Sequence, residues 1–289
     1  MIQVKFKCLF IATLIALLTP AMAGAYQEIE VSNGGTIEGK VELIGSIPGP
    51  RVYHLVLFPN IDMCAEVDTD QEMNRVLYDF IRDSNGGLKD VVVALEKVDA
   101  GKPFNKEPIS ILSENCKFTP DVNAVRQNEV FKVDNQDAVM HNSQVYQKER
   151  GKIIQNLPIP PEEISDGKVT FQKDYKIFQM ICGMHEFMQT WGYRVQNPYY
   201  KITGTDGTFK ISDIPPGEYS VVAWHYLMKK RYQTIKVTEN SVQNINFEFD
   251  GNEVIRPHYE TIISGRIKKD AILPGTAKAM EADKHLTGK

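Results

Sequence analysis

The sequence has no excess of positive charge and no long apolar run beyond its first twenty residues or so. Its 33 Lys and Arg residues against 37 Asp and Glu give a formal net charge of −4, and no basic stripe stands out. Nucleic-acid binders carry clustered basic surface, so the composition argues against that class. Charged residues at 24% and hydrophobic residues at 42% are typical of a globular protein.

The single apolar run lies at the N-terminus. Lys5 and Lys7 precede it, residues 8–18 form it, and small residues around Ala23 follow. This order predicts a cleaved signal peptide over residues 1–23, too short to span a bilayer comfortably; the alternative is an uncleaved N-terminal anchor. We therefore expect a periplasmic or secreted protein with no integral membrane segment after cleavage.

Cysteine is scarce as well, with four in the chain, one of them inside the predicted signal peptide. In an oxidising compartment the remaining three, Cys64, Cys116 and Cys182, leave at least one thiol unpaired. Only Cys182 has other metal-binding side chains beside it, in the stretch ICGMHEFM. The economical assignment is a Cys64–Cys116 disulfide with Cys182 free, although the count alone leaves other pairings open.

Helical periodicity is rare after the signal peptide, and alternating polar and apolar residues between turns predict an all-β protein. Strand-like segments include TIEGKVELIG, GGLKDVVVALEKV, NEVFKVDN and KVTFQKDYKIFQMIC. In the last of these, Phe178, Met180 and Cys182 fall on one face. A less regular insertion around residues 60–85 has room for a short helix.

The segment 197–250 has its own regular order of strands and turns. A strand, an Asp-Gly turn, a strand, a Pro-Pro-Gly turn and a strand are followed by two further strands. This order predicts a self-contained, small antiparallel β-sandwich. We expect it to follow a first domain at residues 24–196 and to precede a C-terminal tail at residues 251–289.

Three potential metal ligands, Cys182, His185 and Met188, follow one another at three-residue intervals. Thiolate, imidazole and thioether suit copper better than magnesium, calcium or manganese, and two His, one Cys and a weak Met define blue-copper sites. His141, which follows a strand and a polar turn, is the candidate for the second His. Phe178 and Met180 are expected to pack beneath such a site and to exclude water.

Other sites at Cys182 are less consistent with the sequence. A cysteine-protease dyad lacks an orienting Asn, and a structural zinc site has no use for Met188. A binuclear copper site needs a second Cys where Phe178 stands. His-x-His and Cys-x-x-Cys-His are both absent, which argues against catalytic copper and c-type haem. No catalytic residue is predicted, and His225 is expected to be a packed core residue.

Taken together, these motifs resemble a known family. MHNS followed by CGMHEFM is similar to the copper-ligand motifs of cupredoxins, with the short loop of amicyanin-like members. GGLKDVVV, NCKFTPDV, NQDAVMHN and NPYYKITGTDGTFKISDIPPGEYSVVAWH resemble exported plastocyanin-like proteins of the methylamine-utilisation type, over residues 34–250. The resemblance implies a cupredoxin-like Greek-key β-sandwich followed by a prealbumin-like, carboxypeptidase-regulatory β domain. Asp121 and Phe187 depart from the family, whose members commonly have His and Trp there.

The resemblance also implies one type 1 copper ion, with His141, Cys182, His185 and Met188 as its ligands and Asn142 bracing the Cys loop. The implied function is one-electron transfer, without enzymatic activity, with redox partners such as a c-type cytochrome or a periplasmic dehydrogenase. The alternative is a binding or scaffold module of an envelope complex with structural or sequestered copper.

The same resemblance suggests where a redox partner docks. We expect His185 to be the ligand nearest solvent, with Phe187, Met184 and Trp191 forming a small apolar patch around it. Transient redox encounters bury little surface, so a small patch suffices.

Overall fold

The structure is a computed structural model that describes residues 26–147, 151–172 and 175–255. The predicted signal peptide and most of the predicted C-terminal tail lie outside the described residues. Within the described ranges, no helix is long and apolar enough to cross a membrane.

Almost all regular structure in these ranges is β-strand, which confirms the all-β prediction. In chain order the strands are β1 (Gln27–Glu28), β2 (Gly35–Ile44), β3 (Arg51–His54), β4 (Asn74–Leu77), β5 (Val92–Glu96), β6 (Ala100–Gly101), β7 (Ile109–Glu114), β8 (Lys117–Thr119), β9 (Val122–Val125), β10 (Glu129–Asn135), β11 (His141–Gln147), β12 (Ile153–Ile159), β13 (Ile164–Val169), β14 (Ile177–Cys182), β15 (Gln189–Arg194), β16 (Tyr200–Ile202), β17 (Thr208–Ile214), β18 (Gly217–Trp224), β19 (Arg231–Val237), β20 (Val242–Asn244) and β21 (Phe247–Asp250). A 3-10 helix at Leu55–Leu57 and α1 (Ile61–Cys64) separate β3 from β4.

The first sandwich combines a four-stranded sheet, β13-β10-β7-β8, with a five-stranded sheet, β12-β11-β14-β15-β9. Both sheets are mixed, because β10 pairs with β7 in parallel and β15 pairs with β9 in parallel. Inward side chains of both sheets form one apolar core, including Ile111, Phe131, Val145, Phe178 and Met180. This sandwich carries the candidate metal ligands on β11, on β14 and in the loop after β14.

The second sandwich combines β16-β5-β18-β19 with β17-β2-β20, and β21 also pairs with β2. The alternation predicted for β2 is observed, since Ile37, Val41 and Leu43 are buried. Gly39 allows the chain after β20 to approach, because a Cβ atom there would lie 1.8 Å from the carbonyl oxygen of Ile245.

The strand pairing does not follow the expected boundary near residue 196. The strands of segment 197–250 form where predicted, but they do not make a self-contained sandwich. β2 lies between β17 and β20, and β5 lies between β16 and β18, so two strands from before residue 100 complete the second sandwich. The sandwich is also mixed rather than antiparallel, since β2 pairs in parallel with β20 and β21. Period-two patterns identify strands and their buried faces, but not their partners.

The segment from residue 51 to residue 77, which we call the strap, overlaps the irregular insertion predicted around residues 60–85. It consists of the β3–β4 hairpin and the two short helical turns between its strands, including the predicted short helix, here only four residues long. A disulfide joins Cys64 of the strap to Cys116, which confirms the economical assignment of the cysteines. This bond and the hairpin place the strap over one end of the first sandwich.

Candidate metal centre

Two neighbouring strands bring His141 and Cys182 to the same end of the five-stranded sheet. His141 begins β11 and Cys182 ends β14, and the antiparallel register places Ser143 opposite Cys182. The loop from Cys182 to β15 carries His185 and Met188. The pairing of β11 with β14 therefore brings His141 close to Cys182, although the two residues are far apart in the sequence.

Backbone hydrogen bonds fold the loop after Cys182 tightly around its own end. The Cys182 N–H donates to the Met188 carbonyl (3.0 Å), and the His185 N–H donates to the Cys182 carbonyl (3.2 Å). The Gly183 N–H donates to the carbonyl of Asn142 on the neighbouring strand (2.7 Å). These bonds turn the loop back toward β11, so that His185 meets His141.

Three donor atoms meet in a nearly equilateral triangle. The Nδ1 atoms of His141 and His185 each lie 3.7 Å from the Cys182 sulfur, and they lie 3.2 Å from each other. A point equidistant from the three atoms is about 2.1 Å from each, and bonds from a metal such as zinc to His nitrogen and Cys sulfur are about 2.0–2.3 Å. The three residues are fully buried, and the group could hold a metal ion without further movement.

The outer nitrogen of each imidazole is already engaged, which assigns the tautomers. His141 Nε2 lies 2.7 Å from an Asp137 carboxylate oxygen, and His185 Nε2 lies 3.1 Å from the Pro59 carbonyl oxygen. Both partners only accept hydrogen bonds at these atoms, so each Nε2 carries the proton. Both Nδ1 atoms can therefore present lone pairs to a cation, and the hydrogen bonds at Nε2 fix the orientation of the two imidazole rings.

The hydrogen bonds around Cys182 favour a thiolate. Burial alone would raise the pKa of Cys182, but hydrogen bonds from His141, His185 and the Asn142 N–H (3.4 Å) lower it to about 6. Burial alone would lower the pKa of His141, but Asp137 and Cys182 raise it to about 9. The thiolate that these hydrogen bonds favour is the form of Cys182 that binds a metal.

The residues expected to surround Cys182 lie close to it in the structure. Phe178 and Met180 lie in the apolar core beneath Cys182, and Met188 is buried with them. Asn142 holds the Cys loop through its backbone N–H and C=O. Its side-chain oxygen is buried and has no hydrogen-bond partner among the described residues, so Asn142 holds the loop through its backbone.

His185 is not the solvent-facing ligand that the resemblance suggests. It is completely buried, because the strap covers its outer edge with the Pro59 carbonyl. Phe187 and Trp191 are 2% and 5% exposed, so they do not form an apolar docking patch on the surface. Phe187 packs instead against Phe58 and Tyr53 of the strap.

Sequence reasoning missed Asp137 and Pro59, which hold the two imidazoles. Asp137 also accepts hydrogen bonds from the backbone N–H groups of Asn115 (2.6 Å) and Cys116 (2.9 Å). Burial would raise the pKa of Asp137, but the bonds from His141 and the backbone lower it. Its position four residues before His141 was the available signal; for Pro59, nothing local indicated the contact.

Asp137 belongs to a second set of potential ligands, formed with Cys116 and His141. The sulfur of Cys116 is committed to the disulfide, so this set offers no thiolate.

His225, away from both sets, is fully buried between Phe80 and Tyr226, as predicted for a core residue. Its Nε2 donates to the Asp79 carbonyl (3.1 Å).

No protein-family model matches the sequence, and no curated protein matches it. Solved structures that it resembles include a copper-containing nitrite reductase from Thermus scotoductus (16% identity, TM-score 0.27), covering 33% of this chain and 24% of that one. They also include a purple cupredoxin from Nitrosopumilus maritimus (16% identity, TM-score 0.25), covering 30% of this chain and 99% of that one. Amicyanin from Paracoccus versutus is a third (14% identity, TM-score 0.27), covering 36% of this chain and 97% of that one. The chain thus spans about a quarter of the nitrite reductase, and at these scores the likenesses support no functional argument.

Proposed function

We propose that this chain is an exported type 1 copper protein that carries single electrons between redox partners. The observation that supports the proposal is the triangle of Cys182 Sγ, His141 Nδ1 and His185 Nδ1. Its dimensions match metal–ligand bond lengths, and its donors are those of blue-copper sites. Met188, buried at the end of the same loop, is proposed as the weak axial ligand.

Each residue has a distinct part in this proposal. Copper would supply a one-electron couple between its two common oxidation states. Cys182 provides a thiolate, because its hydrogen bonds lower its pKa to about 6. Asp137 and the Pro59 carbonyl hold the imidazoles in one orientation, so that the ligands need little rearrangement when the charge changes. Phe178 and Met180 keep water away from the sulfur.

The proposal describes a carrier rather than an enzyme. The donor set is buried and is closed on the strap side, so it offers no access for a substrate molecule from that side. Electrons, unlike substrates, can reach a buried centre through packed protein. The proposed partners are redox proteins such as a c-type cytochrome or a periplasmic dehydrogenase.

The visible and electron-paramagnetic-resonance spectra of the copper-loaded protein test this function. We expect a strong absorption at about 600 nm from thiolate-to-copper charge transfer, lost on reduction and restored on oxidation. Cys182→Ser removes the thiolate and should abolish the band. Met184→Leu, in the same loop but without a donor role, should keep it. A protein that binds copper but stays colourless and does not cycle would contradict the carrier function.

One observation favours a second candidate, a scaffold module with sequestered copper. Both imidazoles are fully buried, and neither presents a free edge to a partner. If the chain is such a scaffold, we expect the copper-loaded protein to be more stable to unfolding than the protein without copper, but to exchange electrons slowly. Mixing the reduced protein with oxidised c-type cytochrome in a stopped-flow experiment separates the two: transfer within milliseconds to seconds supports the carrier, and no transfer over minutes supports the scaffold.

A further inference from the structure

The side chain of Gln189, at the start of β15, is buried and makes four hydrogen bonds. Its Nε2 donates to the backbone carbonyl of Glu186 (2.6 Å) and to the Tyr53 hydroxyl (3.0 Å). Its Oε1 accepts from Arg51 Nη1 (2.9 Å) and from Gln179 Nε2 (3.0 Å). A carboxamide has two N–H donors and two oxygen lone pairs, so the four bonds use it fully. Because a guanidinium only donates and a carbonyl only accepts, the amide has a single orientation here.

One of these bonds holds the loop from Cys182 to Met188, which we call the ligand loop. Glu186 lies between His185 and Met188, which are two of the proposed ligands. The Gln189 amide therefore fixes the stretch of backbone that joins them. Hydrogen bonds inside the loop, such as that from the Met188 N–H to the His185 carbonyl (2.9 Å), shape its turn. The bond from Gln189 adds an attachment to a side chain outside the loop.

The other end of the Gln189 amide meets Arg51, which is itself held by a carboxylate. Arg51 Nε and Nη2 each donate to an oxygen of Asp79 at 2.7 Å, and both side chains are buried. A bidentate pair of this kind fixes the plane of the guanidinium. Asp79 in turn meets the second sandwich, since the Tyr226 hydroxyl lies 3.2 Å from its carboxylate and His225 Nε2 donates to its backbone carbonyl (3.1 Å). Hydrogen bonds thus connect the ligand loop to the second sandwich.

We propose that Gln189 is a positioning residue for the candidate metal centre. Its amide holds the Glu186 carbonyl against the strap and β14, and so keeps His185 and Met188 in place before an ion binds. A buried polar network whose members are all hydrogen-bonded is rigid, and a site that is ordered in advance loses less entropy on binding. This role rests on the proposed copper site, but it does not rest on electron transfer.

The affinity for Cu(I), measured by competition with a chelator, tests this role in Gln189→Glu. The substitution keeps the shape and the acceptor for Arg51, but it removes the donor to the Glu186 carbonyl and places two oxygens together. We expect binding to weaken by about 10- to 100-fold, as is typical when support behind a metal ligand is lost. The added negative charge would favour a cation, so it cannot cause the loss. Gln189→Met, which is uncharged and of similar length, should also weaken binding.

Gln147 offers the matched control. It is buried like Gln189, and its Nε2 also donates to a backbone carbonyl (3.1 Å), but it lies at the end of β11 opposite His141. Gln147→Glu and Gln147→Met should leave the affinity unchanged, although each also loses a buried hydrogen bond. The visible and electron-paramagnetic-resonance spectra of the copper(II) protein report the ligand positions. They should shift in the Gln189 variants and stay as in wild type in the Gln147 variants.

Two results would overturn the role of Gln189: wild-type affinity and spectra in Gln189→Glu, or equal losses in Gln147→Glu, which would mean that the effect is one of stability alone. Near-ultraviolet circular dichroism checks that each variant is folded, and if Gln189→Met does not fold, the two Glu variants decide the question. Wild-type protein that binds copper without cycling between oxidation states contradicts only the carrier function, and the comparison of Cu(I) affinities still holds. Wild-type protein that binds no copper contradicts both.

Discussion

The Nε2 atom of His185 lies 3.1 Å from the carbonyl oxygen of Pro59, so the outer edge of this imidazole faces the strap rather than solvent. The contact joins residues far apart in the chain, and it depends on the strap being held in place. The Cys64–Cys116 disulfide holds it, and Asp137 links the same region to His141 through the Cys116 N–H. The covalent bond and both imidazoles therefore belong to one connected structure.

Removing the disulfide should release the strap and expose His185. For Cys64→Ala/Cys116→Ala we expect the free energy of unfolding to fall by about 4 kcal/mol, because the bond closes a chain segment with a separation of 52 residues. Urea denaturation measures this loss, and wild-type protein under reducing conditions should match the variant. Hydrogen exchange of the His185 Nε2–H should accelerate, while that of the His225 Nε2–H stays slow. A loss below about 1 kcal/mol would contradict the stabilising role given to this bond.

Asp137→Asn should weaken metal binding without removing a ligand. The substitution keeps an oxygen near His141 Nε2 but removes the charge that orients and polarises the imidazole. Changes behind a metal-bound His typically cost about 10- to 100-fold in affinity. Competition with a chelator for Cu(I) measures the dissociation constant, and Asp166→Asn, at an exposed site on β13, is the matched control. Equal affinities for the two variants would mean that Asp137 only stabilises the fold.

The triangle of potential ligands could be predicted from the sequence because local patterns identify most of its residues. The spacing of Cys182 and His185 is local, and the alternation in β14 correctly placed Phe178, Met180 and Cys182 on the core side. His141 required the further step of pairing β11 with β14, which the donor chemistry suggested. The Cys64–Cys116 disulfide was the economical assignment, because only Cys182 has potential metal ligands beside it, and the structure confirms it.

The covering of the site and the composition of the second sandwich could not be predicted in the same way. Pro59 contacts His185 through its backbone carbonyl. Because every residue has such a carbonyl, the amino-acid type at position 59 does not indicate the contact. β2 and β5 show the same alternation whichever strands they pair with, so their places beside β17 and β18 are invisible to a periodicity argument. The alternation of polar and apolar residues within a strand depends on which of its faces is buried, whereas the choice of its neighbouring strands depends on the packing of the whole chain.

Gly192→Ala should disturb the apolar core of the first sandwich, which also contains Cys182 of the candidate metal centre. A Cβ atom at Gly192 would lie 1.9 Å from Cε1 of the Phe178 ring, and Phe178 is 1% exposed with no room to withdraw. Overpacking of this kind typically costs about 1–3 kcal/mol. Gly204→Ala is the matched control, since its Cβ would meet nothing closer than 3.7 Å. Urea denaturation of both variants checks the difference, and equal stabilities would show that the Phe178 ring yields freely.

His225 should make the stability of the protein depend on pH below neutrality. Burial of the enclosed ring lowers its pKa to about 4, although the Asp79 charge and the hydrogen bond to the Asp79 carbonyl oppose this shift. The unfolded chain binds a proton at this His once the pH falls below about 6.5, whereas the folded protein does so only near the lowered pKa.

The contribution of His225 is therefore full above pH 6.5 and is lost as the pH falls toward 4, by about 3 kcal/mol in total. His225→Gln keeps a donor and an acceptor but does not titrate in this range. We expect wild type to lose stability relative to His225→Gln by that amount between pH 7 and pH 4, measured by urea denaturation at each pH. A constant difference across this range would mean that the His225 ring becomes hydrated when it is protonated, and that its burial is less strict than the packing against Phe80 and Tyr226 requires.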